Sequence, residues 1–168
     1  MKNFLLGVVV TVAVLVVGGF AYLRLGLAQT RSDLPPSKLE SWLMSSAVHA
    51  SVRRNAPNIP NPIAATDENL IAGGKQYLGE CAGCHGKPGK PSTLPETLNP
   101  PAPQFPIVGT EYSEAQVFWV AKHGVRHSGM FANGVWDSDD ELWRLAAYIK
   151  RMNALSPHVQ EELAKKPK

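Results

Sequence analysis

The stretch Cys81-Ala82-Gly83-Cys84-His85 places two cysteines three positions apart and a histidine directly after the second. They are the only two cysteines among the 168 residues. In this spacing each thiol can form a thioether to one vinyl group of a porphyrin, and the turn between them puts the histidine imidazole beneath the iron. The stretch therefore predicts one covalently attached haem, held by Cys81 and Cys84, with His85 as an axial ligand.

Three other interpretations of these residues are weaker. A structural zinc site needs four Cys or His ligands, and no second pair with suitable spacing follows. A thioredoxin-type dithiol requires a preceding strand, whereas the residues before Cys81, which include Gly73 and Gly74, have a helical pattern. A disulfide from Cys81 to Cys84 would close a loop too short to add much stability. The haem interpretation is therefore preferred.

The N-terminal region is strongly apolar. Residues 4–23 carry no charge, and at about 1.5 Å per residue they can cross the hydrocarbon core of a bilayer. We predict that residues 1–28 are a transmembrane anchor. The alternative is a signal peptide cleaved after Ala28, but Arg24 lies between the apolar run and that position. Basic residues on both sides of the span nearly balance, so charge alone does not orient it.

A stalk helix and a linker are predicted over residues 29–65. Ser37 can cap the helix, which ends near Arg54, and prolines and asparagines crowd the remainder of the segment. We expect the helix to pack on the domain that follows. The alternative is that Trp42 and Leu43 rest on the membrane surface or on a partner.

Residues 66–155 have the pattern of a small helical domain. Three helices begin at capping residues: Thr66, Ser113 and Ser138. In the last helix apolar residues recur with a helical period: Leu142, Leu145, Ala146, Ile149 and Met152. Residues 86–106 are rich in glycine and proline, which predicts a loop over the haem edge. Residues 156–168 are predicted to be a flexible tail.

Charge and motifs exclude several functions. Residues 67–153 hold eight basic and ten acidic side chains, with no basic stripe for nucleic acid. No nucleophile triad, phosphate-binding glycine loop or carboxylate pair indicates hydrolytic or transferase chemistry. The domain is therefore not expected to be an enzyme by itself.

The second axial position has three candidates, Met130, His123 and His127. Met130 is favoured because it lies in a glycine-flanked loop between two helices, and an irregular loop can bring a side chain against the open haem face. The remaining candidates precede the linker, follow a proline in the tail or lie on an apolar helix face: His49, Met44, His158 and Met152.

The order of helix, C-x-x-C-H, proline-rich loop, His-Gly-Val-Arg-His-Ser-Gly-Met and a final Asp-Asp-Glu-Leu-Trp helix resembles the small class I c-type cytochromes. The resemblance covers about residues 66–154. It implies an all-α fold of three or so helices around one haem c, with the first and last helices crossing. On that analogy Gly74 and Tyr77 would meet Leu145 and Tyr148.

The same resemblance implies particular roles near the haem. Met130 corresponds to the axial methionine of the family, although Phe131 stands where many members have proline, which keeps His127 in contention. A proline carbonyl should accept the N–H of His85, and it is expected among three residues: Pro100, Pro101 and Pro103.

These residues together lead to one expected function and two alternatives. The expected protein is a single-pass inner-membrane cytochrome whose haem domain, by resemblance, lies on the periplasmic side and passes single electrons between redox partner proteins. It would alternatively be the cytochrome subunit of a larger membrane oxidoreductase. A gas- or peroxide-binding haem protein is the third possibility, since that function needs only an open or displaceable sixth position.

Overall fold

A computed structural model describes residues 1–165, apart from the side chain of Glu96. These residues form helices and loops without a strand, and they divide into two compact units, Met1–Ser32 and a second that begins at Asp33. The α-helices are α1 Lys2–Arg24, α2 Lys38–Asn55, α3 Asp67–Gln76, α4 Ala82–His85, α5 Phe105–Val108, α6 Glu114–His123, α7 Asp139–Arg151 and α8 Pro157–Ala164. The all-α prediction is confirmed.

Helix α1 makes up most of the first unit. It has 23 residues, a mean hydropathy of 2.7 over its most apolar window and no buried side chain. At about 1.5 Å per residue it is long enough to span a bilayer. A signal sequence near the N-terminus would also meet these criteria of length and composition.

Helix α2 starts where the sequence predicts, because the Ser37 hydroxyl accepts a hydrogen bond from the backbone N–H of Glu40. Near its other end Val52 is completely buried. His49 is exposed, and its Nδ1 lies 2.7 Å from the hydroxyl of Tyr112. The C-terminal half of α2 is therefore attached to the haem-motif domain.

Asn55, the first residue of the predicted linker over residues 55–65, ends α2, and residues 56–65 have no helix but are not free. The side-chain amide of Asn61 donates to the carbonyl of Trp143 at 2.9 Å and to a carboxylate oxygen of Glu114 at 2.6 Å. These bonds tie the segment to α6 and α7. The prolines and asparagines therefore mark irregular backbone that packs on the domain.

The centre of the domain is the crossing of α3 and α7. Gly73 lies so close that a Cβ there would overlap the carbonyl oxygen of Arg144. Tyr77 and Tyr148 are both buried, with ring centroids 5.4 Å apart. The expected crossing of the first and last helices of the domain is confirmed, with Gly73 as the nearest approach.

The structure confirms the capping residues and the apolar period from which the sequence predicts α6 and α7. Ser113 with Gln116 and Ser138 with Glu141 form complete capping boxes at α6 and α7. Every residue of the predicted apolar stripe of α7 and its end is buried: Leu142, Leu145, Ala146, Ile149 and Met152. Within the predicted loop over residues 86–106, Leu94–Thr97 form a short 3₁₀ turn and α5 begins at Phe105, so its last two residues are helical.

The C-terminal segment differs from the predicted flexible tail. Pro157–Ala164 form α8, and the Ser156 hydroxyl caps it by accepting from the N–H of Val159. Val159 is fully buried in a small apolar cluster with Leu70 and Ala147. Contacts with α3 and α7 thus order this segment, while residues 166–168 of the predicted tail lie outside the described residues.

Candidate functional site: the Cys81–His85 turn

The His85 imidazole is held in one orientation by a backbone carbonyl. Its Nδ1 lies 2.9 Å from the oxygen of Pro103, and because a carbonyl only accepts, Nδ1 carries the proton. The lone pair is therefore on Nε2. Burial lowers the pKa of His85, which favours the neutral form that binds metals. Of the three prolines that the resemblance offered, the structure identifies Pro103 as the acceptor.

The plane of the imidazole is also set by an aromatic ring. Phe105, the first residue of α5, stacks on His85 with ring centroids 4.5 Å apart and an interplanar angle of 9°. Phe105 follows Pro103 by two positions, so one short segment supplies both the carbonyl and the stacking ring. Sequence reasoning did not identify Phe105.

Gln104, between those two residues, ties the cysteine turn to the proline loop. Its Nε2 donates to the carbonyl of Cys84 at 2.9 Å, and its Oε1 accepts from the N–H of Ser92 at 2.8 Å. The Ser92 hydroxyl in turn donates to the carbonyl of Gly83. Gln104 was also missed from the sequence, because a single glutamine in a loop gives no signal of its partners.

Tyr77 secures the chain where it leaves the histidine. Its hydroxyl donates to the carbonyl of Gly86 at 2.8 Å and lies 3.2 Å from that of His85. Burial raises the pKa of Tyr77 far above its usual range, so the phenol stays protonated and keeps donating. Gly86 has a φ of +83°, and a Cβ there would lie 2.7 Å from Gln104 Oε1. Glycine is therefore required at this turn.

Both cysteines of the turn are unpaired and half-buried. Burial is the main reason that the pKa of Cys81 rises to about 12, so its thiol is protonated at neutral pH. Over residues 1–165, no three or more His, Cys, Asp or Glu side chains converge as a metal-binding group. Cys81, Cys84 and His85 are thus not arranged as three ligands of a tetrahedral zinc site.

The loop that carries Met130 is closed by its own hydrogen bonds. The N–H of Val125 donates to the Met130 carbonyl at 2.9 Å, and the Ser128 hydroxyl donates to the Val125 carbonyl at 2.7 Å. Gly124 has a φ of +66°, and a Cβ there would lie 2.7 Å from the Met130 oxygen. Met130 is half-buried, whereas His127 is exposed. The loop is thus a defined structure that presents Met130.

Comparison with known proteins agrees with this geometry. Residues 68–149 match the family model described as cytochrome c oxidase, cbb3-type, subunit III. Residues 68–149 form a c-type cytochrome domain. No curated protein and no solved structure matches the chain.

A cytochrome domain of this family functions in haem-based electron transfer, and its donor set fits a haem. The motif offers two free thiols for thioethers and a neutral imidazole with its lone pair on Nε2. A hydrogen bond from the other ring nitrogen to a carbonyl is also the usual support of a metal-bound histidine. His85 of the cytochrome domain has that support from Pro103.

The candidates for a second axial position have different surroundings in the structure. Met152 is buried in the core, as expected of a residue on an apolar helix face. His49 is bonded to Tyr112. His123 is exposed, with its ring 5.1 Å from that of Trp119. The half-buried Met130 differs from these in lying in a loop that its own hydrogen bonds hold in place.

Asn133 is a further residue that the sequence did not reveal. It is 5% exposed, and its side-chain amide donates to the carbonyl of Ala121 at 3.0 Å. This bond attaches the chain after Met130 to the end of α6. Since a buried amide without a partner is costly, Asn133 holds this part of the cytochrome domain in one conformation.

Proposed function

We propose that this protein is a membrane-anchored electron carrier with one haem c. Cys81 and Cys84 form the two thioethers, and His85 and Met130 are the axial ligands. The observation that carries the proposal is the hydrogen bond of His85 Nδ1 to Pro103 beside two unpaired cysteines. That arrangement prepares Nε2 as a ligand.

The roles of the chain follow from this assignment. When bound, haem supplies one-electron exchange between Fe(III) and Fe(II). Pro103 raises the basicity of His85 by accepting its N–H. Met130 supplies a thioether, which raises the reduction potential relative to a second histidine. Two protein ligands would leave no open position, so electron transfer is favoured over gas or peroxide binding.

Attachment to the inner membrane is proposed for α1. Its length, its hydropathy and its lack of any buried side chain support a bilayer span. The haem domain is assigned to the periplasmic side, because c-type cytochromes, which these residues resemble, receive their haem outside the cytoplasm. The alternative is a signal peptide cleaved after Ala28, and the mass of the mature protein distinguishes it from an uncleaved anchor.

The intact mass and the absorption spectra of the purified protein test the proposal. We expect the full chain plus one haem, and a reduced spectrum typical of a six-coordinate c-type haem. A mass equal to the polypeptide alone would contradict haem attachment. A mass lacking residues 1–28 would contradict the anchor and leave the haem assignment standing. Rapid carbon monoxide binding to the reduced protein would favour the gas-binding alternative.

The ligand assignment has a separate test in Met130→Ala. We expect the loss of the thioether–iron absorption band and a lower reduction potential, because the thioether favours the reduced iron. Met44→Ala is the matched control, since Met44 is exposed on α2 and should leave both readouts unchanged. If Met130→Ala keeps the band while His127→Ala alters the spectrum, His127 is the ligand.

A second function, as the cytochrome subunit of a larger membrane oxidoreductase, is favoured by the family description. The matched family is an oxidase subunit family, and α2 packs on the domain through Val52 and His49. A packed stalk holds the domain more rigidly than a flexible tether would. Mild solubilisation of native membranes tests this: co-purification with integral membrane subunits supports it, and a small unassociated species argues against it.

A further inference from the structure

The first half of α2 exposes apolar side chains that the domain does not use. Leu39, Trp42 and Leu43 are 65%, 64% and 51% exposed. Their i, i+3, i+4 spacing places them on one side of the helix, which we name the α2 apolar face. The contacts of α2 with the domain lie further along, at His49 and Val52. Folding of the domain therefore does not account for this face.

We propose that the α2 apolar face lies on the surface of an anionic phospholipid bilayer. The proposal rests on the membrane anchoring proposed above. Only residues 25–37 separate α1 from α2 along the chain, and fully extended they reach about 45 Å. If α1 spans the bilayer, the face is therefore tethered within reach of the headgroups.

The side chains and charges of this region suit lipid better than a protein partner. Tryptophan favours the interface between headgroups and acyl chains, because its ring is apolar and its N–H is polar. Residues 24–43 carry three basic residues and two acidic residues: Arg24, Arg31 and Lys38, and Asp33 and Glu40. Basic residues beside an apolar helix face are the pattern of helices that bind anionic bilayer surfaces.

The test uses the full-length haem protein in nanodiscs that contain anionic lipid. A nitroxide label is attached at Leu43→Cys or, as the matched control, at Ser41→Cys, which lies on the opposite side of the same exposed half of α2. Cys81 and Cys84 are occupied by thioethers in the haem protein, so the introduced cysteine is labelled alone. Electron paramagnetic resonance then measures collisions with lipid-soluble oxygen and with a water-soluble nickel chelate.

We expect the ratio of oxygen to nickel accessibility to be several-fold higher at Leu43→Cys than at Ser41→Cys, and to fall in discs of zwitterionic lipid alone. Equal ratios at the two positions would overturn the proposal. Exclusion of both reagents from Leu43→Cys would also overturn it, because that result indicates a protein partner or a second copy. Equal ratios in the two kinds of disc would overturn the anionic assignment.

A label at Val12→Cys distinguishes this proposal from the anchor on which it rests. If Val12→Cys reports lipid and Leu43→Cys reports water, α1 spans the bilayer and the proposal for α2 is wrong. If Val12→Cys also reports water, the anchoring is wrong. Thermal unfolding of each labelled variant should match that of the unlabelled protein, since both α2 positions are exposed.

Discussion

At the scale of single residues, the site depends on side chains outside the C-x-x-C-H motif. Pro103 orients His85, Phe105 stacks on its ring, and Gln104 joins the cysteine turn to the loop that carries both. Tyr77 holds the chain at the exit from the motif. The motif supplies the chemical groups, and these neighbours determine their orientation.

Gln104→Ala tests the importance of this connection. The substitution leaves the Cys84 carbonyl and the Ser92 N–H without their partner, so the free energy of unfolding should fall by about 1–3 kcal/mol. The measurement is denaturant unfolding of the haem protein. Gln160→Ala, which removes one exposed hydrogen bond on α8, is the control and should change little. Similar losses in both variants would contradict the special role of Gln104.

Glu80 should make stability depend on pH. It lines a cleft of about 240 Å³ with Asp137 and Glu141. Burial, and then the charge of Asp137 and a hydrogen bond with it, raise the pKa of Glu80 above its ordinary 4.5, against the lowering effect of Gln76. A raised pKa in the folded state means that this contribution to stability is complete below pH 4.5 and is lost as pH rises through the folded pKa.

Glu80→Gln imitates the protonated carboxyl. It should therefore be more stable than the natural protein at pH values above the folded pKa of Glu80, and equal to it below pH 4.5. Unfolding measured from pH 4 to 8 checks this. Asp137→Asn is the companion variant. Removal of that charge lowers the pKa of Glu80, so the pH range over which Glu80 affects stability becomes narrower. A stability difference for Glu80→Gln that does not vary with pH would contradict the prediction.

At the scale of elements, the crossing of α3 and α7 explains the glycines of α3. A glycine inside a helix costs about 1 kcal/mol relative to alanine. Gly73 is tolerated because the backbone of Arg144 occupies the space of a side chain. The close approach brings Tyr77 against Tyr148, and Tyr77 in turn reaches the carbonyl beyond His85. The helix crossing thus helps to position the site.

Gly73→Ala should lower the free energy of unfolding by about 1–3 kcal/mol, since the added methyl group forces the helices apart. Gly79→Ala is the matched control, because no atom lies within 4 Å of a Cβ at Gly79. The control should be neutral or stabilising by up to about 1 kcal/mol. Thermal and denaturant unfolding of the two variants give the comparison. Equal stability of both would show that the crossing is not tight in solution.

At the scale of the whole molecule, the domain that carries the haem motif extends beyond the segment that the sequence delimits. On the N-terminal side, Asn61 binds Trp143 and Val52 is buried. On the C-terminal side, α8 covers Leu70 and Ala147 through Val159. Both flanking segments therefore contribute to the stability of the domain.

Val159→Ala tests the contribution of α8. The removal of two buried methyl groups should lower the free energy of unfolding by about 1–3 kcal/mol. His158→Ala, at the exposed neighbouring position, should have little effect. Unfolding followed by helical circular dichroism is the measurement. An unchanged stability of Val159→Ala would favour the flexible tail that the sequence suggests.

How well a feature can be predicted from the sequence depends on how far apart in the chain the residues that form it lie. The capping boxes at Ser113 and Ser138 and the apolar period of α7 were found from the sequence, because each lies within a few neighbouring residues. The resemblance limited the carbonyl that accepts the N–H of His85 to three prolines. Only the folded path of the loop showed that it belongs to Pro103. Nothing near Gln104 or Asn133 in the sequence indicates the carbonyl that each one binds.

The sequence by itself determined the chemical groups of the C-x-x-C-H motif, the helices α2, α3, α6 and α7, and the apolar run of α1, since these depend on residue type and short-range spacing. Only the tertiary structure decided which carbonyl orients His85, where α3 meets α7, and that α8 packs on the domain. Those features depend on contacts between residues distant in the chain. Such contacts form only where the folded backbone brings their partners together.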